Sequence, residues 1–209
     1  MPVWRVGYHK APCDFSPHYL YSWTHRFDDS QRQYRTIYCA DEKITCLREV
    51  LADLRRNTKA LSEYQKFFGA NGPELEPVGK VRMEWRRKHV LAQAEIEITE
   101  GEIVDVESPV QRRNLEKSLS TFLQSEGINH LDIQRLRGKN RHITQRVSRA
   151  LFEERQAGIK FHSHLDLKVC YALFEFRSRL APNGIVVQLT KDVPELLDVC
   201  REFGLVLSP

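Results

Sequence analysis

The sequence predicts an α+β fold, and three observations carry that expectation. Strand-like and helix-like patterns are interspersed without the regular βαβ rhythm of a doubly wound sheet. Neither G-x-G-x-x-G nor G-x-x-x-x-G-K-[ST] occurs, which sets aside the Rossmann and P-loop readings. The 209 residues are 41% apolar and 10% aromatic, enough for a packed core and too much for wholesale disorder.

Val3 to Gly7 reads as a short strand. Residues 8 to 33 carry Pro12, Pro17, Asp28 and Asp29 with little periodicity, which suits a long loop containing some helix. Tyr34 to Ala40 is rich in β-branched and aromatic residues and reads as a strand. Asp41 is placed to cap a helix running to about Asn57, in which Ile44, Leu47, Leu51 and Leu54 recur at helical spacing. A second helix is expected over Ala60 to Phe68. It would close, through Gly69-Ala70-Asn71-Gly72-Pro73, a helical hairpin and loop insertion near residues 58–80 of a single domain spanning 1–209.

Val90 to Ile98 alternates cleanly, and Ile103 to Val106 follows the Glu100-Gly101 turn, so the two are expected to form a hairpin. Pro109 suits the start of a helix ending at Gly127, and Thr144 to Gln156 is another helix, stopped by Gly158. Strands are then expected at Ile159–His162, Val169–Phe176 and Ile185–Leu189. A helix over Val193–Phe203 and a short strand over Leu205–Leu207 complete the chain.

The 32 basic and 28 acidic residues leave a net charge of +4, which permits nucleic-acid binding without requiring it. No stretch approaches 18 consecutive apolar residues, so no transmembrane helix is expected. Met1-Pro2-Val3-Trp4-Arg5 does not resemble a cleaved signal, and a cytoplasmic location is expected. Five scattered cysteines without a C-x-x-C pair argue for buried free thiols rather than a zinc ribbon or disulfide framework.

Four patches remain once core positions are set aside. Arg5, in a short apolar strand, is either a solvated edge residue or a guanidinium whose planar fork meets an anion in a cleft. His25-Arg26-Phe27-Asp28 ends the long loop. Tyr38 closes a strand, and Glu49 flanks the apolar stripe of the next helix. Glu49 is either a solvent carboxylate paired with Lys or Arg, or a group that stabilises a developing cation or prepares a water. Gly158 to His164 ends a strand in His-Ser-His. His162 and His164 lack a third ligand, so no metal is expected, and Ser163 lacks the G-x-S-x-G elbow of a serine hydrolase. Arg135, Arg137, Lys139, Arg141, Arg146 and Arg149 run without an intervening acid. They form either a solvated face or a surface for an acidic partner or nucleic acid.

Taken in order, these patches resemble the RES domain family, best known as toxins of bacterial toxin–antitoxin pairs. Trp4-Arg5-Val6 is similar to the family's opening aromatic-Arg strand, and His25-Arg26-Phe27-Asp28 to its G-R-[FW]-[DN] block. Tyr38-Cys39-Ala40 resembles Y-L-A, Cys46-Leu47-Arg48-Glu49 resembles A-L-x-E, and Gly158 to Ser163 resembles G-I-x-[YF]-x-S. Ala172-Leu173-Phe174 is similar to a later L-F strand. The spacings are 21 residues from Arg5 to Arg26, 12 to Tyr38 and 11 to Glu49. The sequence departs from the pattern at His25 (often Gly), Cys39, Cys46 and His164 (often Arg).

The resemblance implies an ADP-ribosyltransferase-like fold, with mixed and antiparallel sheets and flanking helices, that takes NAD as substrate without a metal. It implies hydrolysis, phosphorolysis or ADP-ribosyl transfer at the nicotinamide–ribose bond, and a cognate antitoxin that blocks the cleft. Carried over by residue, Arg5 and Arg26 would hold phosphates and Tyr38 would orient the nicotinamide. Glu49 would face the ribose, and Ser163 would hydrogen-bond the ribose or carboxamide. Arg5, Glu49 and Ser163 are the implied catalytic set, and all five residues the NAD-binding set. The alternative is an inactive domain of the same fold acting through protein or nucleic-acid contacts.

Overall fold

In the computed structural model the strands are β1 (Pro2–Tyr8), β2 (Thr36–Ala40), β3 (Lys80–Val81), β4 (His89–Ile98), β5 (Ile103–Asp105), β6 (Gly158–His162), β7 (Val169–Phe174), β8 (Ser178–Gln188) and β9 (Val206–Leu207). The helices are α1 (Lys43–Leu51), α2 (Met83–Lys88), α3 (Pro109–Ser118), α4 (Ser120–Ser125), α5 (Ile133–Arg137), α6 (Arg141–Glu153) and α7 (Pro194–Phe203). The structure describes residues 2–55, 62–63, 66–67, 79–138 and 140–208. Most of the expected helical hairpin and loop near 58–80 lies outside them.

Seven strands form one sheet in the order β5–β6–β7–β2–β1–β4–β8. All neighbours are antiparallel except β5 and β6. Side chains alternate across this sheet, as the pleat demands. One face packs Phe27, Leu47, Leu91, Phe161 and Leu196 into the core shared with α1, α6 and α7. The other face buries Val3, Ile37, Cys39, Ala92 and Leu180, with Cys13 and Phe15 from the long loop laid over them. The expected mixed, mostly antiparallel α+β class holds.

The sheet is nearly two sheets. β1 pairs along its length with β4, from Pro2 opposite Glu95 to Tyr8 opposite His89. Against β2 it makes one pair, Trp4 with Ala40. Continued antiparallel register would set Val6 against Tyr38 and Tyr8 against Thr36, but there the strands part. Side chains take over the backbone groups that this parting exposes. The Arg5 guanidinium donates from Nη1 to the Tyr38 carbonyl (2.9 Å) and from Nε to the Pro12 carbonyl (3.0 Å). The Tyr21 hydroxyl accepts from the Thr36 N–H at 2.9 Å.

Several expectations need correction. β4 and β5 are not a hairpin: β4 has β1 and β8 on its two sides, and β5 pairs in parallel with β6. Alternation specifies a buried face, not a partner, and both edges of β4 are already occupied. Asp41 does not cap α1. Glu42 stands at that position without a side-chain cap, and the Asp41 N–H bonds to the Val169 carbonyl. α1 ends at Leu51 and gives way to a 3-10 turn over Ala52–Leu54. The helix expected from 108 to 127 breaks at Leu119 into α3 and α4.

α6 is stopped by Arg155, which takes φ 61°, and not by Gly158. Gly158 opens β6, where a Cβ would lie 2.7 Å from the Ala172 carbonyl oxygen. β8 begins seven residues before the expected Ile185, because Pro182 and Gly184 read as a turn. β8 is an edge strand with a register shift opposite Ala92 and Ala94, a setting that tolerates proline. α2 and β3 were not anticipated.

Gly7 is where the long loop presses on β1. A Cβ there would sit 2.1 Å from the Pro12 carbonyl oxygen, the same oxygen that receives Arg5. Gly7→Ala should therefore displace both the loop and the guanidinium. We expect it to cost about 3 kcal/mol of stability by urea unfolding; an unchanged midpoint would show that the loop has room to move.

Candidate active site

The loop before β2 is held from within by a buried carboxylate. Asp28 is 0% exposed and accepts from the Tyr21 hydroxyl (2.5 Å), the Tyr38 hydroxyl (3.1 Å) and the His25 N–H (2.7 Å). Burial, and then the adjacent Asp28 charge, push both phenols well above their ordinary range, so they stay protonated and donate. The Tyr38 oxygen also accepts from the Phe27 N–H at 2.9 Å. With its hydroxyl engaged inward, Tyr38 has only its ring to offer, and the His25 ring meets that ring edge-on at 5.7 Å. Arg26, between these anchors, lies over the Phe161 ring at 5.7 Å.

Glu49 is positioned by α1, whose Leu47 and Leu51 are fully buried. One turn of chain between β6 and β7 is locked to the same helix through Asp166. That carboxylate accepts from Thr45 (2.8 Å) and Arg48 (3.0 Å) on α1 and from the Lys168 N–H (3.1 Å). Burial alone would raise the Asp166 carboxyl, but these bonds and one from Ser163 outweigh it and hold it below its usual range. The turn carries Ser163 and His164.

Here three segments converge. Arg26 Nη2 lies 3.1 Å from His164 Nδ1, and Glu49 Oε1 lies 4.0 Å from that same nitrogen. Arg26 Nη1 and Glu49 Oε1 are buried atoms without a hydrogen-bond partner among the described residues. Such groups cost about 1–3 kcal/mol each when left unmade; Arg86 Nε and Arg112 Nε are two more among the described residues. Burial lowers the Arg26 pKa, while the Glu49 charge opposes that shift. Arg5 reaches the backbone of Tyr38 from the neighbouring strand β1, and its two protein acceptors are carbonyls rather than carboxylates. Burial lowers its pKa as well. Arg26 and Glu49 thus approach the same imidazole with one unpaired atom each, an arrangement that suits a substrate carrying both phosphate and a cationic ring.

The model of the RES domain matches residues 2–194. The chain belongs to the RES domain family. Among solved structures it is similar in fold to a chain of the M. tuberculosis MbcT–MbcA toxin–antitoxin complex, with a TM-score of 0.52 and 16% identity, covering 90% of this chain and 84% of that one. No curated protein matches it in sequence.

In this RES domain Arg26 and Glu49 both approach His164, while Tyr38 lies against the loop that bears Arg26, through the Phe27 N–H and Asp28. Ser163 lies in the turn between β6 and β7. Its side chain is 0% exposed, and its hydroxyl accepts from the Leu165 N–H at 3.1 Å within its own turn. The basic stretch is largely framework. Arg137 makes a two-pronged contact with the buried Glu107, Arg141 donates to the Thr24 carbonyl, and Arg149 reaches the buried Asp29 at 3.2 Å. A groove of about 500 Å³ lined by Cys13, Phe15, Arg35, Arg179 and Pro182 contains none of the predicted site residues. The anchors Tyr21 and Asp166 were missed; no sequence spacing announces a partner 15 or 121 residues away.

Two outcomes follow from these contacts. Tyr38→Phe strands the Phe27 N–H and one acceptor site of Asp28, and should cost about 1–3 kcal/mol in chemical denaturation; a neutral result would mean that water replaces the hydroxyl. Arg137→Glu should destabilise by roughly 3 kcal/mol, because it sets a second carboxylate against Glu107. A solvated basic face would instead accept that charge reversal with no change in melting temperature.

Proposed function

We propose that this RES domain cleaves the nicotinamide–ribose bond of NAD and acts as a toxin, neutralised by a cognate antitoxin that blocks the cleft. The observation that carries the reading is the presence, in one cleft, of the unpaired Arg26 Nη1 and the unpaired Glu49 Oε1. Membership of the RES family supports it, as does the likeness in fold to a chain from a toxin–antitoxin complex.

NAD brings a pyrophosphate for cationic groups and a positively charged pyridinium ring. Arg26, supported by Arg5, binds the phosphates; their forks match phosphate oxygens better than a point charge does. The Tyr38 ring orients the nicotinamide, with its hydroxyl held by Asp28. When the carbon–nitrogen bond breaks, its electron pair goes to the pyridinium nitrogen and nicotinamide leaves neutral. The ribose carbon gains oxocarbenium character, which the Glu49 carboxylate offsets most strongly in the transition state. An acceptor oxygen then bonds to that carbon, and its proton passes to Glu49 or to solvent. The acceptor is water, phosphate or a protein side chain. Ser163 serves by fixing the turn that carries His164.

The test is NAD consumption by the purified protein, with and without inorganic phosphate, read by product mass. Free ADP-ribose marks hydrolysis, ADP-ribose-1″-phosphate marks phosphorolysis, and loss only with added lysate marks a protein acceptor. Glu49→Gln should lower turnover on the order of 100-fold or more while the protein stays folded. Intact NAD under all three conditions would overturn the reading.

A further inference from the structure

Arg26 and Glu49 carry opposite charges and are both partly buried. Two such side chains ordinarily close into a two-pronged ion pair. This chain does so elsewhere, at Arg35–Glu175 and Arg137–Glu107. In the cleft they do not: each leaves a buried atom unpaired, and the His164 imidazole stands within reach of both.

We infer that His164 is a positioning residue whose neutral imidazole keeps Arg26 and Glu49 from neutralising each other. A guanidinium has donors only, so at 3.1 Å the His164 Nδ1 must accept from Arg26. That fixes the proton on Nε2 and leaves Nδ1 with nothing to donate to Glu49, whose Oε1 stays unpaired 4.0 Å away. The imidazole thus holds the cation by one prong and gives the carboxylate nothing. It is itself held in place, because its turn is closed by the Ser163 N–H to the Lys168 carbonyl (2.9 Å) and tied to α1 through Asp166. The His164 side chain is 39% exposed, so it stands at the rim, and replacing it opens no cavity in the core. The kinetic consequence rests on the NAD-cleaving reading; the tautomer and the separation of charges do not.

Two measurements are independent of substrate. Nitrogen-15 NMR of the parent protein at pH 8 should report His164 with Nε2 protonated and Nδ1 bare. His164→Ala should let Arg26 and Glu49 pair, so its melting temperature should equal or exceed that of the parent, and any gain should vanish in the H164A/E49Q double variant. A role in packing alone would lower the melting temperature instead. With NAD, H164A should raise KM about tenfold or more, and H164Q, which keeps an acceptor in reach of Arg26, should recover most of that loss. An Nδ1-protonated His164, a less stable H164A, or unchanged KM and kcat in H164A would each overturn the inference. A parent protein that leaves NAD intact would sink the NAD reading alone, with the NMR and melting data still deciding this one.

Discussion

Where β1 and β2 separate after their single shared pair, backbone polar groups in the middle of a sheet lose the partners that a ladder would supply. An unmade buried hydrogen bond costs about 1–3 kcal/mol, so a sheet cannot open at its centre unless other groups step in. In this chain Arg5 donates to the Tyr38 carbonyl and the Tyr21 hydroxyl accepts from the Thr36 N–H. Tyr21 in turn is fastened to Asp28, which also fastens Tyr38 and the loop bearing Arg26. The residues that make the opening tolerable are thus bonded directly to those that line it. Cleft and frame are one hydrogen-bonded system.

The carboxylates around that system divide by what they touch. Asp28 is met by two phenols and a backbone N–H. Asp166 is met by Thr45 and Arg48, Asp29 by Arg149, Glu107 by Arg137 and His162, and Glu175 by Arg35. For Glu107 and Glu175, burial would raise the carboxyl, but the arginine bonds outweigh it and hold each below its usual range. Glu49 is the exception. Among the described residues it supplies the one buried side-chain oxygen without a hydrogen-bond donor. That unmade bond sets Glu49 apart from the acids that hold the frame.

Arg5, Arg26, Tyr38 and Glu49 were legible in the sequence because each departs from the pattern of its own element. A charge sits in an apolar strand, a cation ends an irregular loop, a polar aromatic ends a strand, and a carboxylate flanks an apolar stripe. The strands themselves were legible from alternation, but their partners were not. The Val90–Ile98 segment reads identically whether it turns back on itself or sits between β1 and β8. Side-chain bonds that span long separations, such as Thr45 to Asp166, leave no periodic trace. The run of arginines from 135 to 149 misleads for a related reason: composition shows six cations, but not that Glu107, Asp29 and the Thr24 carbonyl already face three of them.

The distribution of site residues over the two halves of the sheet has a further consequence. Arg26, Tyr38, Glu49 and His164 all come from segments attached to the half that contains β2, β6 and β7. Arg5 belongs to β1 and the other half. Across the opening the Arg5 guanidinium is a direct polar link, from its own strand to the Tyr38 carbonyl at 2.9 Å. Backbone pairing holds the halves together at Trp4 and Ala40, and the Cys46 thiol adds a bond to the Trp4 carbonyl at 2.9 Å. A cation engaged with two neutral carbonyls keeps its charge, so Arg5 can span the gap without ceasing to attract an anion. A lysine has no fork to reach Pro12 and Tyr38 together, and a neutral side chain would close the gap without the charge. One guanidinium bonds both carbonyls at once, which is a physical reason an arginine stands in the middle of an apolar strand.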